Sequence, residues 1–166
     1  HKRAANGTLQ SSVIPDLKKL FNESKYADWR LRAMWALHLT GGFNEAELIK
    51  SLSDKDQHVR SWAIQLLCED LKAPQEAVKK FATMAEDDKS PVVRLYLASA
   101  LQRINTKDKW VIASNLLKHA EDREDHNLPK MIWYGIEPLI GEDPNKFLEL
   151  SSESNIPLVT EYIARR

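Results

Sequence analysis

Glu121, Asp122, Glu124, Asp125 and His126, with His119 just before them, form the densest group of potential metal ligands in the chain. Carboxylate oxygens in a short loop can hold calcium, but such loops need fixed ligand spacing and a glycine at the sharp turn. No glycine falls in this run. The plainer reading is a solvated loop between helices, and no metal is expected. A c-type haem needs Cys-x-x-Cys-His, which the single cysteine, Cys68, cannot supply. Gly41-Gly42 is an isolated pair at the end of a helical stretch, suited to a C-terminal cap and not to a phosphate cradle. Neither Gly-x-Ser-x-Gly nor His-Glu-x-x-His occurs, so the common hydrolase phrases are missing. The chain shows no complete catalytic set and no cofactor site, and it reads as non-enzymatic.

His38 and Cys68 are the remaining single residues with reactive side chains. Each stands eight positions after an arginine, since 38 − 30 and 68 − 60 are both 8. Equivalent places in two successive units point to packing: a hydrogen-bonded, partly buried histidine and a small apolar cysteine.

Charge narrows the partners. The 24 basic and 24 acidic residues cancel, whereas nucleic-acid binders usually collect a basic excess. Lysines and arginines here alternate with acids along the chain, so nucleic acid is not an expected partner. With 43% apolar and 29% charged residues, the composition is that of an ordinary folded domain. One cysteine excludes an internal disulfide and a cysteine-rich zinc site. No apolar run approaches the roughly 18 residues that a membrane span needs. The opening His1-Lys2-Arg3-Ala4-Ala5 has no apolar run behind it, so it is not a secretion signal. The chain reads as a segment cut from a longer protein.

The elements that must position these residues repeat. Trp29-Arg30-Leu31-Arg32-Ala33-Met34-Trp35-Ala36-Leu37, Val59-Arg60-Ser61-Trp62-Ala63-Ile64-Gln65-Leu66-Leu67 and Val93-Arg94-Leu95-Tyr96-Leu97-Ala98-Ser99-Ala100-Leu101 align without a gap. Aspartates precede each: Asp28, then Asp54 and Asp56, then Asp87 and Asp88. Weaker amphipathic helices come before them, at Pro15–Phe21, Glu45–Leu52 and Gln75–Ala85. Such helix pairs cannot bury their apolar faces alone and must stack on their neighbours. The aspartates suit helix caps, and Pro91 suits a first helical turn. Arg30, Arg60 and Arg94 can each reach an aspartate of the adjacent unit, which makes a ladder with Asp28, Asp56 and Asp88.

The Asp-then-Val-Arg-x-x-Ala-x-x-Leu phrase resembles the second helix of HEAT repeats. The resemblance implies an all-α fold, an α-solenoid of about five short HEAT-like helix pairs forming a single domain over 1–166. The repeats fall at about 13–42, 43–72, 73–105, 106–141 and 142–166. The fourth departs from the pattern. Its first helix, Lys107–His119, is followed by a long polar loop at Glu121–Asn127. Its second, Met131–Ile140, carries Ile132 in place of the ladder arginine and Gly135 in place of alanine. Pro138 kinks or ends that helix early. The fifth unit is short, with Pro144–Leu150 and Pro157–Arg165.

A narrower resemblance rests on Met34–Gly42, Pro91–Gln102, Leu128–Leu139 and Ile156–Arg166. Together these are similar to the HEAT-repeat region of large "membrane-bound dehydrogenase" proteins of planctomycetes, verrucomicrobia and some Bacteroidetes. In that family a propeller-shaped dehydrogenase-like domain precedes the repeats and a c-type haem domain follows them. The resemblance implies an extracytoplasmic, periplasmic parent and an electron-transfer setting.

Two positions after each ladder position stand Arg32, Trp62, Tyr96 and Tyr134. Stacked second helices would align them on the concave side as a binding stripe, since aromatics and arginine are favoured at interaction hot spots. The competing reading places them between helices, as it does Trp35, Trp110 and Trp133. The function expected from these features is a monomeric, non-catalytic scaffold for a protein partner or for flanking domains of the same chain. The alternatives are a helical-repeat enzyme of the DNA-glycosylase type and a tetrapyrrole-handling lyase. The first needs a basic concave face with a catalytic carboxylate; the second needs a pocket with suitable acid or base groups.

Overall fold

A computed structural model describes residues 10–166; the opening His1–Ala5 considered above lies outside them. The described residues form ten α-helices and no strand. They are α1 (Val13–Glu23), α2 (Ala27–Leu39), α3 (Glu45–Ser51), α4 (Gln57–Leu67), α5 (Gln75–Asp87), α6 (Pro91–Ala100), α7 (Thr106–Leu117), α8 (Leu128–Ile136), α9 (Pro144–Glu153) and α10 (Pro157–Ala164). The fold class is all-α, of the α-solenoid kind built from consecutive helix pairs. The chain divides into two compact units, with the division between Leu66 and Leu67 at the end of α4.

In the first unit α1 packs against α2. Phe21 and Phe43 meet edge to face at 5.0 Å, and Trp35 of α2 meets Trp62 of α4 at 4.8 Å. Local chemistry sets the helix ends. Gly41, at φ +69°, closes α2: its N–H donates to the His38 carbonyl, and the Gly42 N–H donates to the Leu37 carbonyl. This is the two-bond glycine cap, which needs a left-handed residue just past the helix. Asn44 then opens α3 with a reciprocal cap. Its side chain accepts the Glu47 N–H at 2.8 Å, and the Glu47 carboxylate accepts the Asn44 N–H at 2.9 Å. The Asp56 carboxylate opens α4 by accepting the His58 and Val59 N–H groups.

The second unit is layered. First helices α5, α7 and α9 lie side by side, and second helices α6, α8 and α10 do the same. Phe81, Leu97, Ile112, Leu116, Ile132 and Phe147 fill the space between the layers and are fully buried. Proline marks the starts, as its fixed φ and missing N–H suit the first turn: Pro91, Pro129, Pro144 and Pro157 each sit there. Pro138 acts as expected. α8 stops at Ile136 and continues as a 3₁₀ turn over Glu137–Gly141. The stretch Glu121–Asn127 is not a plain solvated loop. A 3₁₀ turn at Ala120–Asp122 opens it, and Asp122 is buried.

Candidate functional site

Arg30, Arg60 and Arg94, each the fourth residue of α2, α4 or α6, differ in what they grip. Arg30 donates from Nε to the Phe21 carbonyl at 2.9 Å, and both Nη atoms grip the Asp54 carboxylate. Arg94 donates from Nε and Nη2 to the two oxygens of Asp122, at 2.5 Å each, and from Nη1 to the Asp88 carbonyl at 2.8 Å. Glu121 adds a second carboxylate at 3.4 Å. Arg60 donates from Nη1 to the carbonyls of Asp54 and Lys55. The carboxylates that receive the Arg30 and Arg94 forks are thus Asp54 and Asp122, each from the helix pair that follows the arginine. Asp56 caps α4, and the Asp88 carboxylate accepts the Ser90 N–H. Asp28 lies exposed in the first turn of α2.

Burial alone would raise the Asp54 carboxyl, but the Arg30 fork and the Asp56 N–H outweigh it and hold it below the usual range. Asp125 is lowered by the N–H groups of Leu128 and Asn127. For groups lowered on folding, the stabilisation is complete above the unfolded carboxylate value of about 4 and is lost as pH falls through the folded values. The urea midpoint should therefore be flat from neutral pH to about pH 5 and drop below about pH 4. Asp54→Asn should flatten part of that drop, and an unchanged acid profile in this variant would exclude the Arg30–Asp54 contact as its source.

The four stripe residues are not alike. Arg32 is exposed, and its guanidinium lies 5.6 Å over the Trp29 ring. Trp62 is half-buried against Trp35. Both belong to the first unit. In the second, Tyr96 is half-buried and Tyr134 is 58% exposed. Trp110 is buried under the Lys146 ammonium, 4.7 Å from its ring, and Trp133 packs on Tyr162 at 5.3 Å.

The acidic run around residue 121 is occupied by structural work. Asp122 faces Arg94, Asp125 caps α8, and Glu121 meets His119 Nδ1 at 2.9 Å. Among the described residues no three His, Cys, Asp or Glu side chains converge as metal ligands. Cys68 is buried, and burial pushes its thiol up to about 11 despite the nearby Arg103 charge. A thiol held protonated in this way is a poor nucleophile. His38 is half-buried late in α2.

Sequence reasoning missed the bonds that join one pair to the next. Buried Asn115 donates from Nδ2 to the Ala82 carbonyl at 3.0 Å, and His119 Nε2 lies 2.8 Å from the Ala85 carbonyl. Asn155 donates from its backbone N–H to Leu117 and from Nδ2 to Lys118. The one available signal was Asn115 itself, an amide on the apolar face of α7 that must find a partner when buried.

Among the described residues no helix is long and apolar enough to cross a membrane. Comparison with curated proteins finds no match, and neither does comparison with solved structures. The family model described as HEAT repeats matches residues 45–128, just over half of the chain. That stretch holds Arg60, Arg94 and the carboxylates Asp54 and Asp122, and the chain belongs to the HEAT-repeat family.

Proposed function

We propose that the chain is a non-catalytic binding scaffold whose contacts are made by the outward faces of its second helices. HEAT repeats as a class serve protein–protein contacts, and the observation that carries the reading here is the exposed aromatic surface on those helices. Trp29 is 48% exposed beneath Arg32, and Tyr134 is more exposed still. Aromatic rings with an arginine, left open on rigid helices, are the residue types that dominate interaction energies. The unit patches, Arg32 with Trp62 and Tyr96 with Tyr134, are the proposed contact residues, and Arg30, Arg60 and Arg94 with their aspartates are the frame beneath them. Five repeats over 1–166, with the bounds given above, are the proposed organisation.

The finer reading follows the similarity to the membrane-bound dehydrogenase proteins. There the chain would join a dehydrogenase-like propeller to a c-type haem domain, outside the cytoplasm, as a monomeric spacer. Arg32→Ala and Tyr134→Ala test the contact faces cleanly, because both side chains are exposed. Stability should stay within about 0.5 kcal/mol, while affinity for the flanking domains should fall at least tenfold. Full affinity in both variants would remove these faces as the contact.

A further inference from the structure

The first unit carries an open cavity of about 360 Å³ lined by α1, Arg30 of α2, Phe43, α3 and the turn after it. Small-molecule sites begin near 300 Å³ and combine an apolar wall with a few placed polar groups. One wall here is aromatic: the Phe21 and Phe43 rings meet at 5.0 Å. The polar side is unevenly charged. Its two carboxylates are already engaged, Glu47 by Lys18 at 2.6 Å and by the Asn44 N–H, and Asp54 by Arg30 and the Asp56 N–H. Lys50 also lines the cavity, and its ammonium has no acidic partner among the described residues. Asn22 and Ser53 also line the cavity and carry hydrogen-bonding side chains. The balance of the lining is one cation beyond the two that engage Glu47 and Asp54, together with an aromatic wall.

We propose that this cavity binds a small organic anion, a carboxylate carried on an aromatic or similarly flat apolar body. The ring lies against Phe43 and the carboxylate meets Lys50, with Asn22 and Ser53 as further donors. A cation would meet Lys50 unfavourably, and a neutral ring would leave that charge unanswered. The same chemistry is offered by a free aromatic acid and by the terminal carboxylate of a chain ending in phenylalanine. This site is independent of the second-helix faces and stands or falls apart from them.

The test is a titration of the full ¹⁵N-labelled chain with 3-phenylpropionate, following amide shifts. Saturable shifts confined to Asn22, Phe43, Lys50 and Ser53 are expected. The neutral 3-phenylpropanamide should bind about tenfold more weakly, the effect of about 1.4 kcal/mol from one charged contact. Lys50→Gln should weaken the acid by a similar factor; Lys50 is exposed, and the amide spectrum itself reports whether the variant is folded. A peptide with a free C-terminal phenylalanine that binds more tightly than the free acid identifies a protein terminus as the source, and weaker binding identifies a free molecule. Absence of saturable shifts, or equal binding of acid and amide, overturns the proposal, as does acid binding untouched by Lys50→Gln.

Discussion

Arg94→Ala should destabilise the protein by about 3–5 kcal/mol, the range for removing one partner of a buried ion pair. The side chains of Arg94 and Asp122 are 2% and 3% exposed. Removal of the guanidinium strands the Asp122 carboxylate and the Asp88 carbonyl without donors, and the carboxylate is the costly one. Asp122→Asn should cost less, because its amide oxygen still accepts from the guanidinium. Replacing both residues by apolar ones of similar volume should recover most of the loss, since a buried pair holds little net energy over a packed hydrophobic one. Urea denaturation of the three variants decides this, with exposed Lys79→Ala as a control expected within about 0.5 kcal/mol of the parent. A loss below about 1 kcal/mol for Arg94→Ala is the range of an exposed salt bridge and would show that water reaches this pair.

The second large effect is expected at Gly135→Ala, a loss of about 1–3 kcal/mol from overpacking. In an open helix the same change gains roughly 1 kcal/mol, because glycine is the poorer helix former. Here α8 crosses the end of α6 so closely that an added Cβ would lie 2.5 Å from Leu101 Cβ and 2.9 Å from its Cδ1. Shortening Leu101 gives no relief, because alanine keeps the offending Cβ, so the helices themselves must part. Gly141, with nothing within 4 Å of its added Cβ, is the matched control and should tolerate alanine. Thermal unfolding of both variants checks the sign. A gain in stability at Gly135 would mean that α6 and α8 are free to separate.

Helix pairs, caps and the three in-register arginines were legible in the sequence because local spacing carries them. Each cap lies within five residues of what it bonds, and the periodicity of α4 and α6 is a property of nine adjacent residues. The carboxylate partners were harder. Asp54 follows Arg30 by 24 positions and Asp122 follows Arg94 by 28, because α3 has 7 residues and α7 has 12. A ladder whose rungs vary with helix length leaves no fixed offset to find. Arg32, Trp62, Tyr96 and Tyr134 share one register position yet differ in exposure, since burial depends on neighbours that the register does not name. The acceptors of Asn115, His119 and Asn155 were hidden for the same reason, as they lie on a previous pair.

Those last three side chains give the second unit a direction. Asn115 and His119 serve carbonyls of α5 from 33 and 34 residues downstream, and Asn155 serves Lys118 from 37 downstream. The backbone carbonyls of Ala82, Ala85 and Lys118 are therefore closed by side chains synthesised after them. A nascent chain leaving the ribosome carries its newest pair with open carbonyls, and the next pair to emerge closes them. At these seams the earlier helix pair waits for the later one, from the amino end toward the carboxyl end.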